Sequence, residues 1–563
     1  MVACSLAPLL AYNLTPSATL FNQLLALGGW GLVLLQLPAA RRPVQGFAAL
    51  GALALMLAAA LVAPWLSRLP MALAISNGAL LAAACAVLAA ASGLRVRDAE
   101  RWWAGFCWAL LVAGLASLLV GLVQVFAPSL ADGSLIARSG IPGRAVGNMR
   151  QPNHLASLLM WACVAAVWLA DAGRLRRLGA AALPTLLFGF VFAIVMSASR
   201  TGMLGVLLLA LWGMLDRKLA RRTRWALIAT PLMLALSWGL LSTWASLGEH
   251  AFGAESRLAE GAGSPSRLAI LANTWALIKA HPWLGVGWGE FNLAWTMTPF
   301  PDRPTAFFDH CHNLPMQLLV ELGLPLGLLV LALLGWSLWR AFAAGWRATG
   351  RDGVRLRCAF MIVFMIGLHS LLEYPLWYAY FLLPTAFALG LCLGGGAEVQ
   401  ASAQTAAEPA PGRIWVPAAG ALMLAASLFA AWDYMPVVAI YAPAADAGPL
   451  QQRIERGQQG LLFTAQADYA AATSFSPGPA ALAAARRTAH HLIDVRLMMA
   501  WARSLNASGD VDRARYVVAR LREFRSREGD AWLAECEQPR ADGAAEPFQC
   551  QAPSREYSFK EMR

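Results

Sequence analysis

The chain has 563 residues, of which 58% are hydrophobic and only 13% are charged, and its mean hydropathy is +0.54. A soluble domain is closer to half apolar and a quarter charged, so this composition excludes an ordinary soluble protein. The net charge of +12 comes largely from short basic loops between apolar segments, and it gives no reason to expect a nucleic-acid partner.

Apolar runs of about 20 residues recur along the chain, and this is the length needed to cross about 30 Å of hydrocarbon. We therefore predict an all-α, polytopic membrane protein with about twelve transmembrane helices. The predicted spans are 19–39, 46–66, 71–94, 102–127, 154–171, 178–197, 203–216, 225–244, 314–339, 358–373, 376–395 and 414–432. Residues 1–13 are apolar but too short to span, and they lack the basic region and cleavage site of a signal peptide. We expect them to be the end of a truncated first helix.

One alternate set of connecting loops is rich in arginine and lysine, which predicts that these loops are cytoplasmic. Their basic residues are Arg41, Arg42, Arg95, Arg97, Arg101, Arg174, Arg176, Arg177, Arg217, Lys218, Arg221, Arg222, Arg224, Arg340, Arg347, Arg351, Arg355 and Arg357. The opposite set carries little charge for its length. We therefore expect loops 128–153 and 245–313 to face outward, together with everything after residue 432. The polar, proline-containing segment 396–412 is then a cytoplasmic loop.

These patterns predict a membrane domain over 1–432 and an outward helical domain over 433–563. Within the second domain, 492–525 has the pattern of two antiparallel helices joined near Gly509, which resembles one tetratricopeptide-type unit. Such a helix pair serves either as a docking surface for a protein partner or as a structural cap, and both interpretations stay open. Cys536 and Cys550 follow it, and in an oxidising compartment they are expected to form a disulfide.

Chemically useful residues gather in four clusters at the predicted outward ends of helices. The clusters are 147–154, 197–202, 266–289, and 309–315 together with 373–378. They supply two permanent cations, Arg200 and Arg267, whose guanidinium groups suit phosphate oxygens. They also supply histidines, which accept or relay protons near neutral pH. The sequence therefore predicts an outward-facing polar pocket that acts on a lipid-linked phosphate.

Each candidate also has a structural interpretation. His312 is suited to start a helix, Gln151 to cap one, Arg200 to extend to the membrane surface, and Tyr374 to join an aromatic belt. A metal site at His310 and His312 is disfavoured, because adjacent side chains point apart and there is no C-x-x-C partner. The remaining histidines His154, His369, His490 and His491 are expected to be structural.

At these clusters the chain resembles the bacterial protein O-oligosaccharyltransferases, or pilin glycosylation ligases, of the O-antigen ligase and polymerase superfamily. The segments that carry the resemblance are GNMRQPNHLASLLMW, SASRTG, HPWLGVGWGEF, HCHNLPMQLLVELGLPLG and LLEYPLWYAYFLLP, in family order over about 147–384. The multi-helix topology, the large periplasmic loop before His312 and the helical tail with two late cysteines also match.

The resemblance implies a bacterial inner-membrane enzyme that transfers an oligosaccharide from undecaprenyl diphosphate to a serine or threonine of an exported acceptor protein, commonly a pilin. By motif, Gln151, His312 and Tyr374 match the catalytic positions, and Arg200 and Arg267 match the diphosphate-binding arginines. His310, Asn313 and Glu373 are secondary candidates. We expect no metal and no cofactor, and a direct displacement with inversion.

Two other functional classes remain open. An O-antigen ligase or polymerase uses the same donor with a sugar acceptor, and the outward tail argues against it because a lipid-bound sugar needs no protein-docking domain. A transporter of lipid-linked glycans places ionisable residues near the middle of the membrane in broken helices, whereas these clusters gather on one face.

Overall fold

The computed structural model describes residues 2–38, 43–248, 250–255, 265–395, 414–538 and 546–563. Across these residues the chain is helical and contains no strand, as predicted. Arg41, Arg42 and the predicted loop 396–412 lie outside the described residues.

In the part of the chain that the structure describes, seven helices are long and apolar enough to cross a membrane. They are Phe47–Leu66, Met71–Ser92, Val96–Phe126, Pro152–Asp171, Leu314–Arg347, Gly350–Ser370 and Trp415–Tyr441, the last of which comprises Trp415–Asp433 and Met435–Tyr441. Helices Arg221–Ile228 and Thr230–Gly248 form a pair bent by 40° that is apolar enough to be one further span. The shorter apolar helices are Leu20–Gln36, Ala182–Ser197, Arg200–Leu215 and Ala379–Gly395. Every predicted span falls on one of these helices, and the chain is a multi-pass membrane protein; the number of crossings and their direction stay predictions.

The remaining α-helices are short. They are Val2–Ser5, Pro265–Ala280, Phe291–Met297, Leu450–Gln458, Thr464–Ser474, Pro479–Thr488, Val495–Ala507, Val511–Glu523 and Arg527–Leu533. Single 3-10 turns occupy Ala7–Leu9, Pro128–Leu130, Arg176–Leu178, Pro375–Trp377, Ala534–Glu537, Phe548–Cys550 and Phe559–Met562.

The chain forms two compact units, and neither is continuous in sequence. Unit 1 comprises residues 1–54, 80–262 and 332–431, and unit 2 comprises 55–79, 263–331 and 432–563. Most of the predicted loop 245–313 therefore belongs to the same unit as the tail.

Helix Pro152–Asp171 forms the centre of unit 1. Nearly all of its residues are buried, because helices Val96–Phe126, Ala182–Ser197, Arg200–Leu215 and Gly350–Ser370 pack around it. A helix that is apolar on every side is stable only when it is surrounded in this way. The outer helices instead expose large apolar side chains, such as Leu119, Leu232 and Leu422. Exposed apolar surface of this extent is typical of a face that contacts lipid.

In unit 2 a break divides the helix that follows the His312 segment. The predicted span 314–339 is not one regular helix, because Gly323 has φ 76° and ψ 170°. A Cβ atom at Gly323 would lie 2.3 Å from the carbonyl oxygen of Trp283, and the Leu324 N–H donates to the carbonyl of Pro282 at 2.7 Å. The glycine-rich segment 282–289 thus packs, backbone against backbone, on the short helix that precedes the break.

Pairs of helices build the tail. Helices Val495–Ala507 and Val511–Glu523 form the predicted hairpin, and Trp501 is fully buried in its core. Two polar pairs join the tail to residues 263–313 of the same unit. His490 Nδ1 lies 2.7 Å from Glu290 Oε1, and Arg303 Nε lies 2.6 Å from Glu523 Oε2. The predicted disulfide is confirmed: Cys536 is bonded to Cys550, with their Cα atoms 5.2 Å apart.

Candidate active site

In unit 1, Gln151 follows a turn that is stabilised by hydrogen bonds with the side chain of Gln124. The buried side chain of Gln124 accepts the N–H groups of Val146 and Gly147, each at 2.9 Å, and donates to the carbonyl of Ala137 at 2.6 Å. Gln151 caps helix Pro152–Asp171, since its side-chain oxygen accepts the His154 N–H at 2.8 Å. The side-chain oxygen of Gln151 therefore has the capping role that the sequence suggested. The amide nitrogen of the same side chain brings two further donors.

Asn153 joins three of the sequence motifs. Its Nδ2 donates to Glu373 Oε1 at 3.1 Å, and its Oδ1 accepts the hydroxyl of Ser199 at 2.7 Å. These contacts bring together the segment before Pro152–Asp171, the segment before Arg200–Leu215 and the segment after Gly350–Ser370. Asn153 lies in the cluster 147–154 but was not among the predicted site residues.

Arg200 occupies the first turn of its helix, and Ser199 caps that helix by accepting the Gly202 N–H at 3.1 Å. The preceding residue, Ala198, adopts the left-handed conformation, which separates the helix that ends at Ser197 from the one that begins at Arg200. The buried Arg144 stabilises this break by donating two hydrogen bonds to the Ser197 carbonyl, at 3.1 and 3.0 Å. The sequence analysis missed Arg144, which lies in a predicted loop without a recognisable motif.

Tyr374 belongs to an aromatic cluster that continues into the helical core. Its ring stacks on Tyr378 with centroids 6.3 Å apart, and Tyr378 contacts the ring of His154 at 4.6 Å. His154 Nδ1 lies 3.0 Å from the hydroxyl of Tyr380. A further buried histidine, His369, pairs with Ser157 at 2.7 Å. Both histidines have buried partners within the helical core, which is consistent with the structural roles expected for them.

In unit 2, His312 has an unusual backbone and a fixed ring. Its φ is 59°, a left-handed conformation that is uncommon outside glycine and that often marks functional segments. Its Nδ1 lies 3.0 Å from the carbonyl oxygen of His310. A carbonyl only accepts, so Nδ1 carries the hydrogen and the neutral ring has its lone pair on Nε2. Phe308 contacts the ring edge-on at 5.2 Å.

A buried polar pair holds the turn that carries His312. The Cys311 N–H donates to Gln317 Oε1 at 2.9 Å, and Gln317 Nε2 donates to Glu321 Oε1 at 2.9 Å. Asn313 caps the short helix by accepting the Met316 N–H at 3.0 Å. Asn313 is thus a structural part of the turn. Gln317 and Glu321 were missed by the sequence analysis, although two polar residues four apart in an apolar helix were a usable signal.

The other three residues of this turn, Asp309, His310 and Cys311, differ in their electrostatic environment. Burial raises the pKa of the Cys311 thiol to about 12, so it stays protonated and is not a nucleophile. Burial also opposes ionisation of Asp309, but the charge and hydrogen bond of His310, 3.2 Å away, outweigh it and lower the pKa of Asp309 to about 2. His310 is therefore engaged by its neighbour.

Arg267 lies near the start of helix Pro265–Ala280 and is partly exposed. Thr274 of the same helix contacts the thiol of Cys311. Arg267 and Thr274 are seven positions apart, which corresponds to about 10 Å along the helix axis. The helix therefore connects Arg267 to the turn that carries His312.

The predicted site residues form two groups. Gln151, Arg200, Glu373 and Tyr374 lie at one end of the unit 1 helices, and Arg267, His310, His312 and Asn313 lie in unit 2. Within each group, motifs that are distant in sequence are connected by short contacts. The first group is at helix ends and not at helix centres, which is the arrangement expected of a site on one face.

Three protein families match the chain in succession. Residues 145–170 match a family described as protein glycosylation ligase, and residues 184–332 match the O-antigen ligases. Residues 358–533 match the C-terminal part of the virulence factor membrane-bound polymerases.

Two curated relatives come from Acinetobacter baylyi. A general O-oligosaccharyltransferase is 27% identical over 312 residues, which is 52% of this chain and 51% of the relative. A ComP-specific O-oligosaccharyltransferase is 24% identical over 294 residues, which is 50% of each chain. The chain thus spans about half the length of the curated relatives it matches. In successive parts of its length the chain is thus similar to protein glycosylation ligases, O-antigen ligases and membrane-bound polymerases, and over about half its length it is similar to two O-oligosaccharyltransferases.

Proposed function

We propose that this protein transfers an oligosaccharide en bloc from undecaprenyl diphosphate to serine or threonine hydroxyls of an exported protein, such as a pilin, at the periplasmic face of the bacterial inner membrane. The observation that carries this proposal is the 3.0 Å contact of His312 Nδ1 with the His310 carbonyl oxygen, which favours the tautomer that carries its hydrogen on Nδ1. A ring held in this way presents Nε2 as a base.

In the proposed reaction the acceptor hydroxyl oxygen attacks the anomeric carbon of the donor. The bond between that carbon and the phosphate oxygen breaks, and its electron pair leaves with the diphosphate. The hydroxyl proton moves to Nε2 of His312. The products are an O-glycosidic bond with inverted configuration and undecaprenyl diphosphate, and no metal ion and no cofactor takes part.

The arginines stabilise the departing diphosphate. Arg200 and Arg267 each supply a guanidinium group, which pairs with phosphate oxygens through two parallel hydrogen bonds. Gln151 and Tyr374 bind and orient the substrate from the first group, and Glu373 positions Asn153.

We assign the two parts of the chain accordingly. Residues 1–432 form the membrane catalytic domain, and 433–563 form the periplasmic domain on which the acceptor protein docks. Successive helix pairs in the tail support a docking role, while a structural cap is the alternative.

The proposal is tested by co-expressing the protein with a candidate pilin in cells that make a defined lipid-linked glycan. Transfer is measured as the mass added to the intact pilin. His312→Ala should abolish detectable transfer, because general-base help is worth about 10²–10⁴-fold. His250→Ala is the control, since His250 is exposed and lies outside both groups. Wild-type transfer by His312→Ala would overturn the mechanism.

The same assay separates the role of the arginines from that of a metal. Arg200→Ala should weaken donor use, and Arg200→Lys should restore it poorly because the planar fork is lost. Treatment with EDTA should leave transfer unchanged. Activity that disappears with EDTA and returns with Mg²⁺ or Mn²⁺ would contradict metal independence.

An O-antigen ligase or polymerase is the second candidate, because two of the matching families carry these descriptions. It uses the same donor and the same arginines with a sugar hydroxyl as acceptor. Glycan found on a lipid-bound sugar, with no mass added to any co-expressed pilin, would favour this alternative.

A further inference from the structure

A large polar cavity lies at the opposite end of unit 1 from Gln151. It measures about 850 Å³, and Asp171, Lys218 and Arg351 are among its lining residues. Asp171 ends the helix that Pro152 begins, and a helix of this length spans about 30 Å. The cavity is therefore separate from the candidate active site and is independent of the function proposed for it.

The lining contains three carboxylates, and each is engaged by the protein. Asp171 accepts the Ala220 N–H at 3.0 Å and a second hydrogen bond from Thr223 at 3.1 Å. Asp352 lies 3.2 Å from Arg355, and Glu100 lies 4.0 Å from Arg174. Each carboxylate of the cavity thus has a hydrogen-bond or ion-pair partner within the protein.

Five basic residues line the same cavity, so positive charge is in excess. Within the described residues, Lys218 donates to the neutral carbonyls of Trp346 and Ala348. Arg177 and Arg351 are exposed and have no ion pair among the described residues. Arg355 is 3% exposed, and within the described part of the chain its buried Nε has no hydrogen-bond partner.

A buried guanidinium N–H without an acceptor is costly, and the cost is removed when an anion supplies the acceptor. Guanidinium and ammonium groups that converge on one cavity suit the oxygens of a phosphate group. Trp108 and Trp168 add apolar surface to the lining. Two apolar side chains beside these basic residues are strongly exposed, as expected at a lipid surface. Leu178 follows Arg177 in sequence, and the Trp346 ring contacts the ammonium group of Lys218.

We propose that this cavity binds an anionic phosphate group through Arg177, Lys218, Arg351 and Arg355. The phosphate belongs either to an anionic phospholipid of the surrounding membrane or to a soluble phosphorylated molecule. By the distribution of basic loops, this is the expected cytoplasmic end of the helices.

Native mass spectrometry of the full-length protein in a neutral detergent tests the proposal. The probes are phosphatidylglycerol, phosphatidylcholine and glycerol 1-phosphate, each titrated separately. The pocket variant is Arg177→Gln/Arg351→Gln. The matched control is Arg221→Gln/Arg222→Gln, which removes the same charge from two exposed arginines that do not line the cavity. All four arginines are exposed, so both variants are expected to fold.

Wild type and the control variant should retain phosphatidylglycerol in preference to phosphatidylcholine, and the pocket variant should bind it at least about tenfold more weakly. Binding of glycerol 1-phosphate with the same dependence on the pocket arginines identifies a soluble ligand and supports the same phosphate site. Equal retention by the pocket and control variants, or no binding of either anionic probe by wild type, would overturn the proposal.

Discussion

The left-handed backbone of His312 requires the surrounding structure to hold it in place. A residue with a Cβ atom in this region costs of order 1–3 kcal/mol, and it persists only where neighbouring contacts determine it. Here the determining contacts are the Nδ1 hydrogen bond to His310 and the polar pair Gln317 and Glu321 beneath the turn. These contacts hold His312 in place without a substrate, and in the proposed reaction this would reduce the reorganisation needed.

Replacing Gln317 tests this alignment. Gln317→Leu removes the acceptor of the Cys311 N–H and the donor to Glu321, and each buried group left unsatisfied costs about 1–3 kcal/mol. We expect a lower thermal unfolding temperature in detergent. We also expect at least about tenfold less transfer per folded molecule, because a misplaced base loses much of its 10²–10⁴-fold contribution.

The control for that experiment is Ser337→Ala, which removes a hydroxyl that, among the described residues, donates to the Leu333 carbonyl of its own helix. It should behave as wild type in both measurements. Unchanged transfer by folded Gln317→Leu would mean that Gln317 does not position His312.

At the scale of elements, apolar length predicted where helices lie, but it did not predict the break at Gly323. Hydrophobicity continues through the break, so a window of about 20 residues reports one span. Two local signals were present, namely Gly323 itself and Pro325, because a residue before proline avoids the helical region. The bend between Arg221–Ile228 and Thr230–Gly248 was not predicted for the same reason.

The break predicts opposite effects for two glycines of helix Leu314–Arg347. Gly323→Ala places a Cβ 2.3 Å from the Trp283 carbonyl at a residue with φ 76°, so it should destabilise the protein by more than about 1 kcal/mol. Gly335→Ala meets open space and should be neutral or stabilising by about 0.5–1 kcal/mol. Thermal unfolding of the two variants in the same detergent measures the difference. Equal midpoints would contradict the close backbone packing at Gly323.

At the scale of the whole molecule, the direction of the chain across the membrane follows from its basic loops. The strongest signals are the arginine and lysine residues of 217–224 and 340–357. If these loops are cytoplasmic, the tail and its disulfide are periplasmic. An oxidising compartment agrees with the bond between Cys536 and Cys550.

Reporter fusions test this topology directly. Alkaline phosphatase fused after residue 450 should be active, and green fluorescent protein at the same position should be dark. A matched pair of fusions after residue 220 should give the reverse result. Cytoplasmic fluorescence from the fusion after residue 450 would overturn the periplasmic placement of the tail.

The sequence by itself determined the class of protein, the positions of its helices, the hairpin in the tail and the cysteine pair. These features depend on local properties: apolar length, helical periodicity and turn residues. It also identified most of the candidate residues, because the motifs that contain them are contiguous.

Only the tertiary structure decided how those motifs meet. Asn153 contacts Glu373 across 220 residues of sequence and Ser199 across 46. The left-handed turn at His312 depends on side chains of the following helix, and residues 263–331 belong to one unit with the tail. No local pattern encodes such contacts, because they result from the packing of whole helices, and packing selects among many arrangements with equally apolar helices.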